Sequence, residues 1–181
     1  MAKITATSYG ISSSTLKIKR PKFNEMWSNY PVGMEAPDVY ATIGGNVYEL
    51  YKENPTGYAN ACALRLSRAF NYGGFKIAKS GPGYKVKGGD GKIYFLRVKD
   101  VIAFVKSNFG KPDYSVKPNA VDKTSDFLGK KGILIFDVSG WGDASGHVTL
   151  WNGGECGDHC YFTHPTQPDV QTKEILFWEL K

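Results

Sequence analysis

Apolar residues recur at helical spacing through the first part of the chain and gather into short runs in the last part. Phe23, Met26, Trp27 and Tyr30 stand at i, i+3, i+4 and i+7, and Pro31 follows. That spacing predicts a core-packing helix over 22–30. Val39 to Tyr51 is interrupted by Gly44-Gly45, which permits positive φ or a close backbone approach. This stretch is ambiguous and is read as a loop shaping one wall of a site. Pro55-Thr56-Gly57 is a turn leading into a helix at Asn60, the expected N-cap. Leu66, Ala69 and Phe70 share the face of Cys62 one and two turns on. Asn71-Tyr72-Gly73-Gly74 ends that helix, with glycine at the left-handed C′ position.

Phe75 to Tyr94 holds two glycine clusters and reads as a hairpin or a mobile flap. It lacks the G-x-x-x-x-G-K-[ST] pattern of a phosphate loop. A further helix is expected over 100–109, capped by Asp100 and stopped by Gly110 and Pro112. Ser125 to Leu128 suits one short helical turn. From Gly132 the pattern changes. Ile133 to Val138 is a β-branched apolar run, read as a central strand. Gly146 to Gly154 alternates and reads as a second strand. Glu155 to Cys160 is a tight loop, Tyr161-Phe162 begins another strand, and Glu174 to Leu180 is a final strand or short helix. Helices lead and strands follow, an α+β pattern in a single domain of 1–181. Residues 1–20, rich in Ser and Thr, form a loosely ordered lead-in.

The 181-residue length suits one core, and 41% hydrophobic with 22% charged residues marks a globular chain. Aromatic content of 14% exceeds what one small core holds, so some rings line a groove or the surface. The net charge of +6 suits a polyanion, whether nucleic acid, an acidic membrane or an acidic cell-wall polymer, or simply a solvated face. The densest basic group is Lys17, Lys19, Arg20 and Lys22. No basic helix, zinc-finger spacing or RNA-binding aromatic signature accompanies it, so no nucleic-acid partner is expected. No apolar run reaches the roughly 20 residues of a membrane span. Met1 to Ser8 lacks the apolar core of a signal peptide, so the general secretory route is not expected.

Three cysteines and three histidines bound the chemistry. Cys62 falls in the first helical turn, where unsatisfied N–H groups and the helix dipole favour the nucleophilic thiolate. A buried, hydrophobe-like cysteine is the alternative. His147 shares a strand face with Thr149 and Trp151, and a strand packed on the Cys62 helix delivers a base rigidly. Asp158, in the loop that follows, is placed to orient the imidazole. A strand histidine held by hydrogen bonds is the alternative for His147. The backbone N–H of Cys62 is the expected oxyanion donor. Cys156 and Cys160 lie four apart. If oxidised, they close a small ring worth about 2 kcal/mol, useful as a local clamp, and leave Cys62 as the odd thiol. Cys156, His159, Cys160 and His164 have ligand-type residues, but their C-x2-H-C-x3-H spacing suits no usual zinc site. No metal or cofactor is expected.

Asn60-Ala61-Cys62-Ala63 opening a helix, Ser145 to Trp151 as a strand, and Glu155 to Cys160 just after it together resemble the type VI secretion amidase effector 4 (Tae4) family. Ile43-Gly44-Gly45 and Phe177-Trp178-Glu179-Leu180 extend the resemblance over nearly the whole chain. It implies a papain-like NlpC/P60 fold, with N-terminal helices packed on a C-terminal antiparallel sheet. It implies cleavage of peptidoglycan stem peptides between D-glutamate, through its γ-carboxyl, and meso-diaminopimelate, with Cys62, His147 and Asp158 as the triad. Delivery from the producer cytoplasm into a competitor's periplasm by the type VI machinery follows from the family, as does a cognate periplasmic immunity protein. A Cys156–Cys160 clamp formed there would hold Asp158 beside His147. Two rival readings stay open. One is an N-acetylmuramoyl-L-alanine amidase on the same fold. The other is a non-catalytic wall-binding module with Cys62 in its core.

Overall fold

The computed structural model describes residues 3–6, 14–17, 19–119, 121–142, 146–163 and 169–181, the first two segments as backbone alone. Strands β1 (Lys3–Ala6) and β2 (Ser14–Lys17) pair antiparallel within the stretch read as a lead-in. Then come α1 (Phe23–Trp27), α2 (Ala36–Ile43), α3 (Gly45–Glu53) and α4 (Cys62–Tyr72). A hairpin of β3 (Lys85–Lys87) and β4 (Ile93–Phe95) follows, then α5 (Val98–Phe109) and β5 (Tyr114–Val116). A 3-10 turn (Thr124–Phe127) leads to β6 (Gly132–Ser139), β7 (Gly146–Trp151) and β8 (Gln171–Glu179). The main sheet is four-stranded and antiparallel in the order β5-β8-β6-β7, with the helices ahead of it in the chain.

The faces of β6 sort the core. Ile133 and Ile135 join Val148, Leu150 and the α4 residues Cys62, Ala63, Leu66 and Phe70. Leu134 and Phe136 join Trp151, Phe162 and Phe177 on the opposite side. A third cluster sets Leu64 and Ala61 against Val39, Tyr40, Val47 and Tyr94. Helix α4 is thus buried on more than the one stripe expected, because the sheet covers one flank and α2, α3 and the hairpin another. Its end matches the glycine signal: Gly74 has φ +82° and Phe75 N–H donates to Phe70 O at 2.9 Å, the bond of a Schellman cap.

Several expectations change. The ambiguous 39–51 stretch is two helices and not a loop, since Gly44 (φ +65°) breaks the run without ending its helical character. The expected close approach is present: Gly89 N–H donates to Ile43 O at 2.9 Å, and a Cβ on Gly45 would stand 2.5 Å from Gly89 N. Helix α5 begins at Val98, so Asp100 lies inside it, accepting from Tyr84 N–H at 3.1 Å in place of capping. Tyr161 and Phe162 start no strand; Phe162 is instead buried against Phe127, Phe136 and Trp151. The final segment is a strand, and it begins at Gln171. The short edge strand β5 carried no periodic signal, being three residues long.

Candidate active site

Helix α4 opens on Cys62. The cap is Ala61, whose carbonyl accepts the first helical bond from Arg65 N–H at 2.9 Å. Asn60 acts one residue earlier than expected, its Oδ1 accepting from Cys62 N–H at 3.0 Å. The amide expected to be a free oxyanion donor is therefore occupied by a side chain. Cys62 is 2% exposed, yet it lines a cleft of about 1000 Å³ between α4, the segment around Tyr84 to Lys99 and the ends of β6 and β8. It is both core and cleft wall, so the two sequence readings of this residue meet in one place.

His147, 3% exposed, stands on edge strand β7. Its Nε2 is 3.1 Å from Asp158 Oδ1, which leaves Nδ1 as the ring nitrogen for Cys62, whose charge acts on the imidazole. Burial disfavours the charged imidazole, but a Cys62 thiolate and the Asp158 carboxylate outweigh it and push His147 up to about 10. Burial opposes ionisation of Asp158 as well. Hydrogen bonds from His147, Thr149 and the His159 amide, together with the His147 charge, nevertheless hold its carboxyl below the usual range.

Three supporting residues escaped the sequence reading of the site. Thr149 Oγ1 donates to Asp158 Oδ1 and lies 3.2 Å from the Tyr30 hydroxyl. Burial first, and then the nearby Asp158 charge, push the Tyr30 phenol well up, so it stays a neutral partner. Arg65, buried in α4, brings Nε to 3.7 Å from Asp158 Oδ2 and donates to Pro31 O at 2.6 Å and to Met34 O. The one available signal was spacing. Thr149 follows His147 by two on one strand face, and Arg65 follows Cys62 by three on one helix.

The Cys156 and Cys160 sulfurs are bonded, and Asp158 sits inside the small ring they close. The ring is fixed to β7 by Gly157 N–H donating to Leu150 O at 2.8 Å, and it rests on Tyr30 where a Cβ at Gly157 would meet Cε1 at 2.6 Å. Bonded sulfurs are not thiolate ligands, so the Cys156/His159/Cys160/His164 metal set has lost two members; His164 lies outside the described residues. Among the described residues no helix is long and apolar enough to cross a membrane.

A helix-borne thiol meeting a strand-borne imidazole, itself held by a buried carboxylate, is the arrangement of a cysteine hydrolase. The model of the type VI secretion system amidase effector protein 4 family, Tae4, matches residues 58–178, more than half of the chain. The chain belongs to this family of amidases. Among solved structures, Tae4 from Salmonella typhimurium in complex with the immunity protein Tai4 from Enterobacter cloacae is 40% identical. That match covers 90% of this chain and 100% of that one, with a TM-score of 0.80. The Tae4–Tai4 complex from Enterobacter cloacae is 37% identical over 90% of this chain and 100% of that one, with a TM-score of 0.80. Tae4 of Enterobacter cloacae alone is 36% identical over 92% and 100%, with a TM-score of 0.79. Curated proteins returned no match.

Proposed function

We propose that the protein hydrolyses the bond from the γ-carboxyl of D-glutamate to meso-diaminopimelate in peptidoglycan stem peptides, acting as a toxin in the periplasm of a competitor. The reading is carried by the convergence of Cys62, His147 and Asp158, of which Cys62 stands at the wall of a cleft also lined by Tyr58, Tyr84, Arg97 and Lys173. Stem peptides carry free carboxylates on both sides of that bond, and a cleft with cationic and aromatic walls suits them.

The reaction is acyl transfer. The Cys62 thiolate attacks the γ-carbonyl carbon. As the carbonyl oxygen gains charge, the Cys62 N–H turns to it from Asn60 Oδ1, so Asn60 is the side chain that moves. His147 Nδ1 gives its proton to the diaminopimelate amine as the C–N bond breaks, leaving a thioester on Cys62. His147 then takes a proton from water, the hydroxide displaces sulfur, and D-glutamate leaves with a free γ-carboxylate. Asp158, held by Thr149 and Arg65, fixes the ring and stabilises the imidazolium. Self-protection by a Tai4-type periplasmic partner fits the complexes formed by the relatives.

The test is digestion of purified peptidoglycan by wild type and Cys62→Ala, with products read by mass spectrometry. New glutamate γ-carboxyl ends and free diaminopimelate amines from wild type alone support the reading. Products ending at muramic acid and L-alanine would make the chain a muramoyl-alanine amidase, and no products from folded wild type would favour a binding module.

A further inference from the structure

The wall of the cleft formed by the sheet carries two opposite charges side by side. Asp137 ends the regular part of β6, where it pairs with Glu174 of β8 and, on the other side, with Gly146 of β7. The ladder then slips. Val138 pairs with Thr172, so Lys173 is the extra residue of a β-bulge directly beside Asp137. Bulges near active sites re-aim side chains, and here the neighbours are already engaged elsewhere. Thr172 donates to Tyr161 O at 2.8 Å, and Glu174 accepts from Ser115 at 2.6 Å. Lys173 and Asp137 both line the cleft that holds Cys62. Both are exposed, and among the described residues neither is engaged in an ion pair or a side-chain hydrogen bond. Gly146, which flanks Asp137 on the β7 side, presents no side chain to it. On the opposite wall Arg97 is stacked over the Tyr84 ring at 4.6 Å, so it is already committed to that wall.

We infer that Asp137 and Lys173 form a specificity site for the distal end of the diaminopimelate residue, where one carbon bears an ammonium and a carboxylate. Asp137 accepts from the ammonium and Lys173 donates to the carboxylate. The inference rests on the bond assignment above and adds the source of selectivity on its leaving-group side. A lysine in place of diaminopimelate keeps the ammonium and lacks the carboxylate. A cross-linked or acylated diaminopimelate keeps the carboxylate and lacks the charged amine. The pair therefore selects stems whose diaminopimelate is free at its distal amine.

The test compares three synthetic tripeptides, L-alanyl-γ-D-glutamyl followed by meso-diaminopimelate, by L-lysine, or by diaminopimelate acetylated at the distal amine. Values of kcat/KM are measured for wild type, Lys173→Met, Lys173→Arg and Asp137→Asn. In Lys173→Met the diaminopimelate-to-lysine selectivity ratio falls about tenfold, the loss expected for one charged hydrogen bond, and Lys173→Arg restores most of it. In Asp137→Asn the ratio of free to acetylated substrate falls by a similar factor. Wild-type turnover of diaminopimelate substrate with ratios unmoved by either substitution overturns the specificity site and leaves the bond assignment standing. Wild type that cleaves none of the three, while remaining active on whole peptidoglycan at another bond, overturns both.

Discussion

At the scale of the residue, His147 balances burial against two negative neighbours, and in the proposed mechanism its proton goes to the leaving amine. Activity should therefore hold across neutral pH and fall on the alkaline side as His147 deprotonates near about 10. Removing the Asp158 charge takes away one of the raising influences, so Asp158→Asn should move that limb of the kcat/KM profile to lower pH. The same shifts enter stability with opposite signs. The His147 contribution is complete below its unfolded value of roughly 6.5 and is lost as pH rises through about 10. The Asp158 contribution is present above the ordinary carboxylate value and is lost as pH falls through its depressed one. Urea unfolding at stepped pH separates the two. Thr149→Val keeps the shape and strips a donor from a buried carboxylate. It should cost about 1–3 kcal/mol of stability and lower kcat roughly tenfold, short of what an ångström's misplacement does. Cys62, His147 and Asp158 were legible because each sits on a local signal: a helix start, an alternating strand and a loop. Tyr30 and Arg65 were not, since their parts depend on packing between segments far apart in sequence.

At the scale of the element, glycines decide how close backbones come. Gly45 combines a φ of +58° with Gly89 N at 2.5 Å from where a Cβ would stand. Gly45→Ala should cost about 2 kcal/mol or more through strain and lost seating of the β3–β4 hairpin on α3, read as a drop in Tm of at least about 4 °C. The Asp158 loop is held covalently as well as by Gly157. Cys160→Ser should remove about 2 kcal/mol from stability, and because the ring brackets Asp158 it should lower turnover in the folded protein. Unchanged rate and pH profile would make the bridge structural only. Periodicity gave α4 and β6 close to their observed limits and overran α1 and β7 by three residues at their C-terminal ends. It misread 39–51 because a glycine pair between two short amphipathic helices has the same local chemistry as a loop. The start of α5 was missed because Asp100 carries a cap's chemistry while its carboxylate is drawn to Tyr84.

At the scale of the whole molecule, the α+β order of elements was legible, but the division of its interior was not. Composition says how much apolar surface there is and nothing about how contacts between distant segments sort it. The three clusters meet at the site. Cys62 belongs to the first, its neighbours Ala61 and Leu64 to the third, and His147 lies against Phe136 of the second at 6.3 Å between rings. Loosening of any one cluster is expected to part sulfur from imidazole. Loss of activity and loss of structure should therefore follow one curve on heating, with residual hydrolysis and circular dichroism superimposed. An activity transition several degrees below the unfolding transition would show a site that melts alone. The seating of α4 between the first and third clusters, with His147 against the second, thus makes hydrolysis an all-or-none report of folding: a chain that has lost any part of its interior is harmless to the polymer it cuts.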